Sequence, residues 1–337
     1  MLMLPVYHNV LADPASLGAL TFYGQSEHGQ WLDGRLFSPQ LCRAYSVRGG
    51  IADFVGDSCG WLGSPVIEQG RREGWVQGNW TSANRRWGRV RDAQAGKVSD
   101  WGLRASPDNR YSDDEKALIY DTYARAVRQP GADPLARPVI LELAAGPGGG
   151  FLPLILLHDP EAQVLLNDIL YPLLEEWQAV LRTAGAGPNV GFVAADARQL
   201  PLRSASIDVV SGAIPFNEVL APERAIAEVY RVLRPGGLLV EREGVLEPQD
   251  SARLSPRLRA YIEESSPTWL SGAAPILRAV GFVEVEETLG SAFELSPEEG
   301  TMGAMAAKEG VTLRSQWRLV SARKPSVRSE PVPLATA

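Results

Sequence analysis

The residues best suited to chemistry lie where an apolar run ends in a cluster of glycines. Residues 139–143 are apolar except for Glu142, and residues 144–150 read Ala-Ala-Gly-Pro-Gly-Gly-Gly. A glycine-rich turn between a strand and a helix lets the backbone approach a bound ligand closely, because no Cβ stands in the way. Taken alone, this segment would suit a nucleotide, a dinucleotide or a tight turn without any ligand.

The spacing of neighbouring residues narrows the choice of ligand. A dinucleotide fingerprint that starts at Gly146 requires glycine or alanine at the position of Phe151, and a phosphate-binding Gly-Lys-Ser/Thr sequence is absent. Two later apolar runs end in acids, Asp168 and Asp196. Because the carboxyl ends of parallel strands meet at the ligand-binding edge of a sheet, we expect Asp168 to bind both hydroxyls of a ribose and Asp196 to lie nearby.

The elements that must position these residues alternate between helix and strand from Tyr111 onward. Ser112 and Glu115 have the spacing of a capping box, and Tyr120 and Tyr123 fall on one face of the helix that it starts. Later apolar patterns predict strands at 139–143, 164–166, 190–195, 207–212 and 238–241, and helices at 151–157, 173–181 and 226–233. Such alternation predicts an α/β fold with a doubly wound, mainly parallel sheet and helices on both faces.

Five segments in this order resemble the motifs of class I S-adenosylmethionine-dependent methyltransferases of the small-molecule branch. Residues 142–148, Glu-Leu-Ala-Ala-Gly-Pro-Gly, are similar to the first motif, commonly Asp/Glu-x-Gly-x-Gly-x-Gly, with Ala144 in place of its first glycine. The other four similar segments are the ribose-binding acid, the adenine-contacting segment, the fourth strand and the hinge before the fifth strand, at residues 166–168, 195–202, 207–210 and 231–237.

The resemblance implies S-adenosylmethionine as the cofactor and a Rossmann-like sheet of seven strands within residues 111–324. The cofactor-binding residues that it implies are Glu142, Ala144, Gly146, Gly148, Asp168, Asp196 and Ala197, together with Tyr120 on the preceding helix. Residues 1–110 then form an N-terminal Trp/Gly-rich extension, and residues 325–337 form a disordered tail. Methyl transfer from a sulfonium requires alignment of the acceptor and exclusion of water, so a histidine-centred cluster is not needed.

The end of the fourth predicted strand carries the residues expected nearest the methyl acceptor. Residues 212–218, Gly-Ala-Ile-Pro-Phe-Asn-Glu, resemble the Asn-Ile/Leu-Pro-Tyr-Asn motif of ribosomal-RNA adenine dimethyltransferases. Ala213 stands where the amine-holding asparagine belongs, so RNA adenine methylation is disfavoured. We expect Phe216 to form a wall of the acceptor pocket. The polar groups expected beside the acceptor are Asn217, Glu218 and Glu243, with a structural or solvated role as the alternative for each.

Residues 1–110 differ in composition from the rest of the chain, because six of the nine tryptophans lie there among frequent glycines. Three interpretations stay open. The tryptophans form a small core, or the segment caps an aromatic acceptor pocket, or its arginines bind nucleic acid with bases stacked on the tryptophans. A net charge of −7 argues against nucleic acid as the partner. If the segment is a cap, a chain that begins near Tyr111 should still fold and bind the cofactor.

Composition and the absence of certain motifs indicate the cellular compartment and disfavour some classes of partner. The apolar stretches are too short to cross a bilayer, and the first residues lack a signal-peptide pattern. No histidine cluster or Cys-x-x-Cys predicts a metal site, and Cys42 and Cys59 are expected to be core residues of a cytoplasmic protein. The sequence thus predicts a methyltransferase that acts on a small molecule. The alternatives are a nucleic-acid (RNA) methyltransferase and a cofactor-binding regulatory protein without catalysis.

Overall fold

One sheet of eleven strands, with helices packed on both faces, runs through the residues that the computed structural model describes. These residues are 3–55, 111, 113–127, 137–146, 148–217, 219–295 and 301–326. The strands are β1 (Thr21–Glu27), β2 (Gln30–Ser38), β3 (Arg43–Arg48), β4 (Ile51–Asp53), β5 (Val139–Glu142), β6 (Gln163–Asp168), β7 (Val190–Ala194), β8 (Ile207–Ala213), β9 (Leu233–Leu246), β10 (Val283–Glu294) and β11 (Arg314–Arg323). The helices are α1 (Pro5–His8), α2 (Asp113–Val127), α3 (Leu152–His158), α4 (Tyr171–Ala184), α5 (Pro222–Val232), α6 (Pro248–Ala252), α7 (Pro256–Ser265), α8 (Thr268–Ser271), α9 (Ala274–Val280) and α10 (Thr301–Lys308).

The centre of the sheet has the doubly wound order that the sequence predicts. Strands β7, β6, β5, β8 and β9 are parallel neighbours, and β11 and β10 follow in antiparallel pairing. The chain moves from β5 toward β7 in one direction and then from β8 toward β9 in the other. The strand order therefore reverses between β5 and β8, which is the position where sheets of this kind bind ligands.

The described residues within 111–324 contribute seven strands, β5 to β11, but the sheet is larger than predicted, because four strands from the N-terminal residues continue it beyond β7. Strand β4 pairs with β7 in parallel, with Ile51 opposite Phe192, and β1 to β4 are joined to one another by antiparallel pairing. Without β4, the N–H and C=O groups along one side of β7 would have no strand partner. The predicted boundary at residue 110 thus does not separate residues 3–55 from the sheet.

Proline and glycine set the ends of several elements. Pro153 lies in the first turn of α3, where a missing N–H costs no helical hydrogen bond, and Gly185 ends α4 with a φ of 60°. Strand β9 is longer than the predicted run at 238–241. The pairing between β8 and β9 shifts between Leu233 and Leu238, and Gly236 within this stretch has a φ of 81°, as the predicted turn requires.

A third apolar cluster covers the carboxyl end of β9, next to the predicted acceptor side. It contains Leu246 at the end of the strand together with residues from α7, α8 and α10, among them Leu258, Ile262, Trp269 and Met305. Sequence reasoning did not predict these helices as a cover. Thr268 of α8 contacts the buried Asn217 side chain, one of the residues expected near the acceptor.

The remaining predictions from the sequence concern residues 56–110, the C-terminal tail, the cysteines and membrane crossing. The roles proposed for residues 56–110 lie outside the described residues, as do Cys59 and residues 327–337 of the predicted disordered tail, 325–337. Cys42 is exposed, so its predicted place in the core is wrong; it lies in a turn between β2 and β3. Among the described helices, none combines the length and apolarity that a bilayer crossing requires.

Candidate functional site

The glycine-rich turn leads from β5 into α3. Ala144, Gly146, Gly149 and Gly150 all have positive φ angles, between 51° and 72°. This region favours glycine, so Ala144 holds a strained backbone conformation at the position where the resembling motif carries glycine. Gly148 is exposed, and a Cβ added to it would meet no atom within 4 Å. Open space therefore lies beside the turn.

Glu142 supports this turn with a fully buried carboxylate. One oxygen accepts a hydrogen bond from the Phe151 N–H at 3.0 Å, and the other accepts one from the Ser211 hydroxyl at 2.5 Å. A Cβ on Gly150 would lie 1.8 Å from the Glu142 Oε1, so glycine is required there. Burial raises the pKa of Glu142 to about 8, although both hydrogen bonds lower it. These contacts assign Glu142 a positioning role, and its direct contact with a cofactor stays a prediction.

Glu142→Gln is expected to stabilise the protein increasingly as the pH rises from 5 to 8. The glutamine amide can accept from the Phe151 N–H and donate to the Ser211 hydroxyl, so both contacts survive. The pKa of Glu142 rises from 4.5 unfolded to about 8 folded, so the neutral carboxyl favours folding below pH 4.5 and this advantage is lost as the pH rises toward 8. Thermal unfolding of both proteins across this range measures the difference. A melting-temperature difference that is independent of pH would contradict the prediction.

Asp168 joins the end of β6 to the glycine-rich turn. Its Oδ2 accepts a hydrogen bond from the Gly146 N–H at 2.9 Å, and its Oδ1 accepts one from the Leu170 N–H at 2.9 Å. Burial raises the pKa of Asp168, and the backbone N–H groups oppose this effect. The Asp168 carbonyl also accepts from the Ala195 N–H at 3.0 Å. The structure therefore brings Asp168, the acid predicted to bind ribose, next to the glycine-rich turn at the carboxyl edge of the sheet.

Asn167 and Trp177, to which the sequence analysis assigned no role, stabilise the carboxyl edge of the sheet. The Asn167 amide donates to two main-chain carbonyls at the end of β7, at 3.1 and 3.2 Å. Trp177 is buried in α4, donates its ring N–H to the Gly146 carbonyl at 3.0 Å, and lies so near Gly149 that a Cβ there would be 2.4 Å from its ring. The sequence does give a signal for Asn167, because an asparagine stands there inside an apolar run. It gives no signal for the role of Trp177 beyond the position of this residue on an apolar helix face.

Asp196 follows β7 and already has an ionic partner. The Arg198 guanidinium approaches its carboxylate to 2.6 Å, and the Arg198 N–H donates to it at 2.8 Å. Burial raises the pKa of Asp196, but the contacts with Arg198 outweigh burial and hold the pKa below its usual range. Ala197, next in the chain, is buried. The predicted adenine contacts of Asp196 and Ala197 stay predictions, at an edge position one strand away from Asp168.

The tyrosine at the glycine-rich turn is not the predicted one. Tyr120 stacks on His158 with ring centroids 4.7 Å apart, at the C-terminal end of α3, whereas the turn lies at the N-terminal end of that helix. Tyr111 instead donates a hydrogen bond from its hydroxyl to the Gly150 carbonyl at 3.3 Å and packs edge-on against Phe151 at 5.4 Å. The position of Tyr120 thus gives no support to its cofactor contact, which stays a prediction, and Tyr111 is the tyrosine that contacts the turn.

Two of the three candidate catalytic residues are structural in this fold. Phe216 is fully buried in the core cluster, so it forms no wall of an open pocket. The Asn217 amide donates to the Gly244 carbonyl and to the Thr268 hydroxyl, both at 3.0 Å, and its oxygen accepts from the Gly244 N–H at 2.9 Å. These bonds fasten the loop after β8 to β9 and α8, which cover it. Glu218, the third candidate, lies outside the described residues.

Strand β9 carries two buried acids on one face. Glu243 accepts a hydrogen bond from the Ala273 N–H at 2.7 Å, at the start of α9, and burial raises its pKa to about 7. Glu241 is also fully buried, and neither of its carboxylate oxygens has a hydrogen-bond partner within the described part of the chain. Burial and the neighbouring charge of Glu243 raise the pKa of Glu241 well above its usual value. Glu243 is thus tied to α9, and the protonated form of Glu241 is favoured.

The site as a whole has the features of a Rossmann-like cofactor site. A glycine-rich turn follows the first central strand, a buried acid on the next strand is hydrogen-bonded to it, and a further acid follows the strand after that. A family model described as "Methyltransferase domain" matches residues 141–240, a range that contains all three features. The class of protein is therefore a methyltransferase on a doubly wound α/β fold.

Two known proteins with sequences similar to this chain are C-methyltransferases by name. The chain is 28% identical over 184 residues to the ubiquinone/menaquinone biosynthesis C-methyltransferase UbiE of Hahella chejuensis, which covers 54% of this chain and 70% of that protein. It is 36% identical over 171 residues to the protein of that name from Azotobacter vinelandii, with 51% of this chain and 64% of that protein covered. The solved structure of the YcgJ protein from Bacillus subtilis has a TM-score of 0.43 and 16% identity, and covers 61% of this chain and 99% of that chain.

Residues 141–240 thus form a methyltransferase domain of the class I S-adenosylmethionine-dependent kind. The family match begins within β5 and ends within β9, so it includes the turn and both acids but not the strands that precede β5. Residues 3–55, with the four strands β1 to β4, therefore lie outside the matched range.

Proposed function

We propose that this protein transfers a methyl group from S-adenosylmethionine to a small-molecule acceptor by in-line displacement. The observation that carries the proposal is the hydrogen bond of 2.9 Å between the Asp168 Oδ2 and the Gly146 N–H. It joins the acid suited to ribose hydroxyls to the turn suited to close backbone approach, at the edge where the strand order reverses. The similarity to two C-methyltransferases supports an acceptor of small size.

The residues at this edge fit the cofactor. Open space at Gly148 leaves room for a ligand against the backbone, and Asp168 would hold the ribose. Asp196 and Ala197 would contact the adenine from the neighbouring strand. When bound, S-adenosylmethionine supplies the electrophilic methyl carbon on its sulfonium.

The protein's own contribution is to align the acceptor and keep water out. The third apolar cluster, built from α7, α8 and α10, covers the carboxyl end of β9 and supplies an apolar boundary on the acceptor side. Glu142 and Trp177 hold the turn rigid from the core side, through bonds of 3.0 Å to the Phe151 N–H and the Gly146 carbonyl. Alignment of this kind accounts for much of the rate in displacement reactions between bound partners.

Gly148→Ala is expected to fold normally and lose at least about tenfold in S-adenosylmethionine affinity. An added Cβ meets no protein atom within 4 Å, so the protein itself does not resist it, whereas a ligand against the backbone does. Gly150→Ala is the matched contrast. There the Cβ would lie 1.8 Å from the Glu142 carboxylate at a φ of +55°, so we expect loss of stability. Calorimetric titration and thermal unfolding of both variants separate binding from folding. Unchanged affinity in Gly148→Ala would overturn the assignment of the turn.

Activity distinguishes the proposal from its two alternatives. Purified protein is incubated with S-adenosylmethionine carrying a labelled methyl group and either small-molecule extracts or total RNA. The proposal expects label only in the small-molecule fraction. Label in RNA would favour a nucleic-acid methyltransferase, and binding without any transfer would favour a regulatory protein.

A further inference from the structure

The sheet ends in two edge strands, β1 and β10, which differ in how well they resist pairing with a further strand. Strand β10 contains four glutamates, and its pairing with β11 changes register twice, after Val283 and after Leu289. Charged side chains and register changes hinder the addition of another strand to an edge. The β10 edge is therefore protected against pairing.

Strand β1 lacks this protection over most of its length. Residues 21–26 contain neither a charged residue nor a proline, and the pairing with β2 changes register once, between Gln25 and Ser26. Within the described part of the chain, no strand lies on the outer side of β1 and no loop backbone hydrogen-bonds to it. All residues of β1 are exposed except Phe22, which is half-buried. Residues 21–25 thus present a regular row of unpaired backbone N–H and C=O groups, which is what an added strand requires.

A large aromatic side chain lies exposed on this edge. Tyr23 of β1 is 63% exposed, and its ring contacts Phe37 of β2 edge-on, with ring centroids 6.4 Å apart. Tyrosine is enriched at protein interfaces, because its ring buries much apolar area while its hydroxyl can still bind water. The unpaired backbone and the exposed ring together indicate that β1 is an interface for another strand.

The charges on β2 make this edge complementary to a second copy of itself. Tyr23 lies opposite Arg35 of β2. Gln25, two residues further along β1, lies opposite Asp33, so all four side chains lie on one face of the sheet, and both charged residues are exposed. When two β1 strands pair antiparallel with Gly24 opposite itself, Tyr23 faces Gln25 of the second copy. Each row across the four strands then begins at Arg35 of one copy and ends at Asp33 of the other.

The two adjacent registers bring like charges into one row. With Tyr23 opposite itself, the row contains Arg35 of both copies. With Gln25 opposite itself, the row contains Asp33 of both copies. Like charges that face each other across a sheet are destabilising. The register centred on Gly24 avoids both arrangements, and it also pairs every residue of β1 with a residue of the second copy.

We propose that β1 is a homodimer interface, at which two copies of this chain join their sheets by antiparallel pairing centred on Gly24. Such a contact is two-fold symmetric, so it occupies the β1 edge of both copies and stops at two chains. The Tyr23 ring of each copy then packs against Gln25 of the other. Strands β2, β3, β4, β7 and β6 separate β1 from the glycine-rich turn that follows β5, so the interface is distinct from the cofactor site.

Sedimentation equilibrium of the full chain at increasing concentration tests the interface. The wild-type mass should rise toward twice that of one chain. Tyr23→Glu places on β1 the residue type that protects β10, facing the second copy's Asp33 in the same row, and should raise the Kd of the dimer at least about tenfold. Tyr23→Phe keeps the ring and should keep the dimer. Leu289→Glu is the matched control, because Leu289 is 64% exposed on the opposite edge strand, β10, and the substitution adds the same charge. It should leave the Kd unchanged.

Cysteine cross-linking tests the register. The two native cysteines are replaced by serine, and Tyr23→Cys and Gln25→Cys are made separately in that chain. A mixture of the two variants should form a disulfide-linked dimer, because residues 23 and 25 of opposite copies face each other. Either variant alone should not, because the two copies of residue 23 lie about 8 Å apart, beyond the reach of a disulfide.

Four results would overturn the proposal. A wild-type chain that stays monomeric up to about 0.1 mM would remove the interface. A dimer that Leu289→Glu weakens and Tyr23→Glu does not would place the interface on β10. Equal weakening by both variants would show a general effect of added charge. Cross-linking of Tyr23→Cys with itself, and not with Gln25→Cys, would reject the register centred on Gly24.

Discussion

A chain truncated to begin at Tyr111 is expected to aggregate rather than fold, because residues 3–55 complete both the sheet and its core. Removal of β4 exposes backbone N–H and C=O groups along β7, with which it pairs in parallel. Met3, Tyr7 and Leu11 are at most 1% exposed and belong to the same core cluster as residues of β5, β7 and β8. Their removal exposes apolar side chains of β5, β7 and β8 in that cluster to water.

The free energy lost on truncation supports the expectation that the shortened chain does not fold. Full burial of one large apolar side chain contributes about 1.5–3 kcal/mol, and the net stability of a domain is only about 5–15 kcal/mol. Loss of several such contacts together with a strand pairing is therefore comparable to the whole net stability. The expectation from the sequence, that the cofactor domain folds without its N-terminal segment, does not agree with this packing.

Solubility, circular dichroism and thermal unfolding measure the outcome. Two variants of the full-length chain, Tyr7→Ala and Tyr23→Ala, test whether packing by residues 3–55 stabilises the fold. Tyr7 is buried, and its ring lies so near Gly191 that a Cβ there would be 2.5 Å away, whereas Tyr23 in β1 is 63% exposed. Tyr7→Ala should lower stability by about 3–5 kcal/mol, and Tyr23→Ala should change it little. A soluble truncated chain that unfolds cooperatively and binds S-adenosylmethionine fully would contradict the prediction.

The parts of the fold that the sequence predicts correctly depend on short stretches of chain. The glycine-rich turn, the acid at the end of β6 and the glycine that ends α4 each follow from residues that are neighbours in sequence. A strand, a turn and a helix in succession already place their polar residues at one edge of a parallel sheet. The doubly wound order between β5 and β9 follows from the same alternation.

The errors concern contacts between residues far apart in sequence. The pairing of Ile51 with Phe192 joins distant segments, and no local pattern indicates it. The closed hydrogen bonding of Asn217 depends on α8, whose residue Thr268 accepts from the Asn217 amide at 3.0 Å. Phe216 is buried in a core cluster that includes Leu277 of α9, which is also distant in sequence. Sequence position can therefore show that a residue lies near a ligand-binding edge, but not whether another element covers it.

Asp168→Ala is expected to lower S-adenosylmethionine affinity at least about tenfold. The aspartate should accept hydrogen bonds from two ribose hydroxyls, and a hydrogen bond to a charged group contributes about 1.5–3 kcal/mol. Asp196→Ala should have a smaller effect, because one contact is expected and Arg198 already pairs with that carboxylate at 2.6 Å. Asp159→Ala is the control for loss of a carboxylate. Asp159 follows α3 and bonds the Tyr123 hydroxyl at 3.0 Å, so its loss should leave the cofactor affinity unchanged.

A second measurement separates the ribose contact from the support that Asp168 gives the turn. Because Asp168 also accepts from the Gly146 N–H at 2.9 Å, its removal loosens the turn and lowers affinity by that route as well. Titration of wild type and Asp168→Ala with S-adenosylhomocysteine and with its analogue lacking both ribose hydroxyls forms a double-mutant cycle. If Asp168 binds the hydroxyls, their removal should weaken binding to the wild type but leave binding to the variant unchanged. Equal losses in both proteins would mean that Asp168 acts only through Gly146, and the ribose assignment would have to be given up.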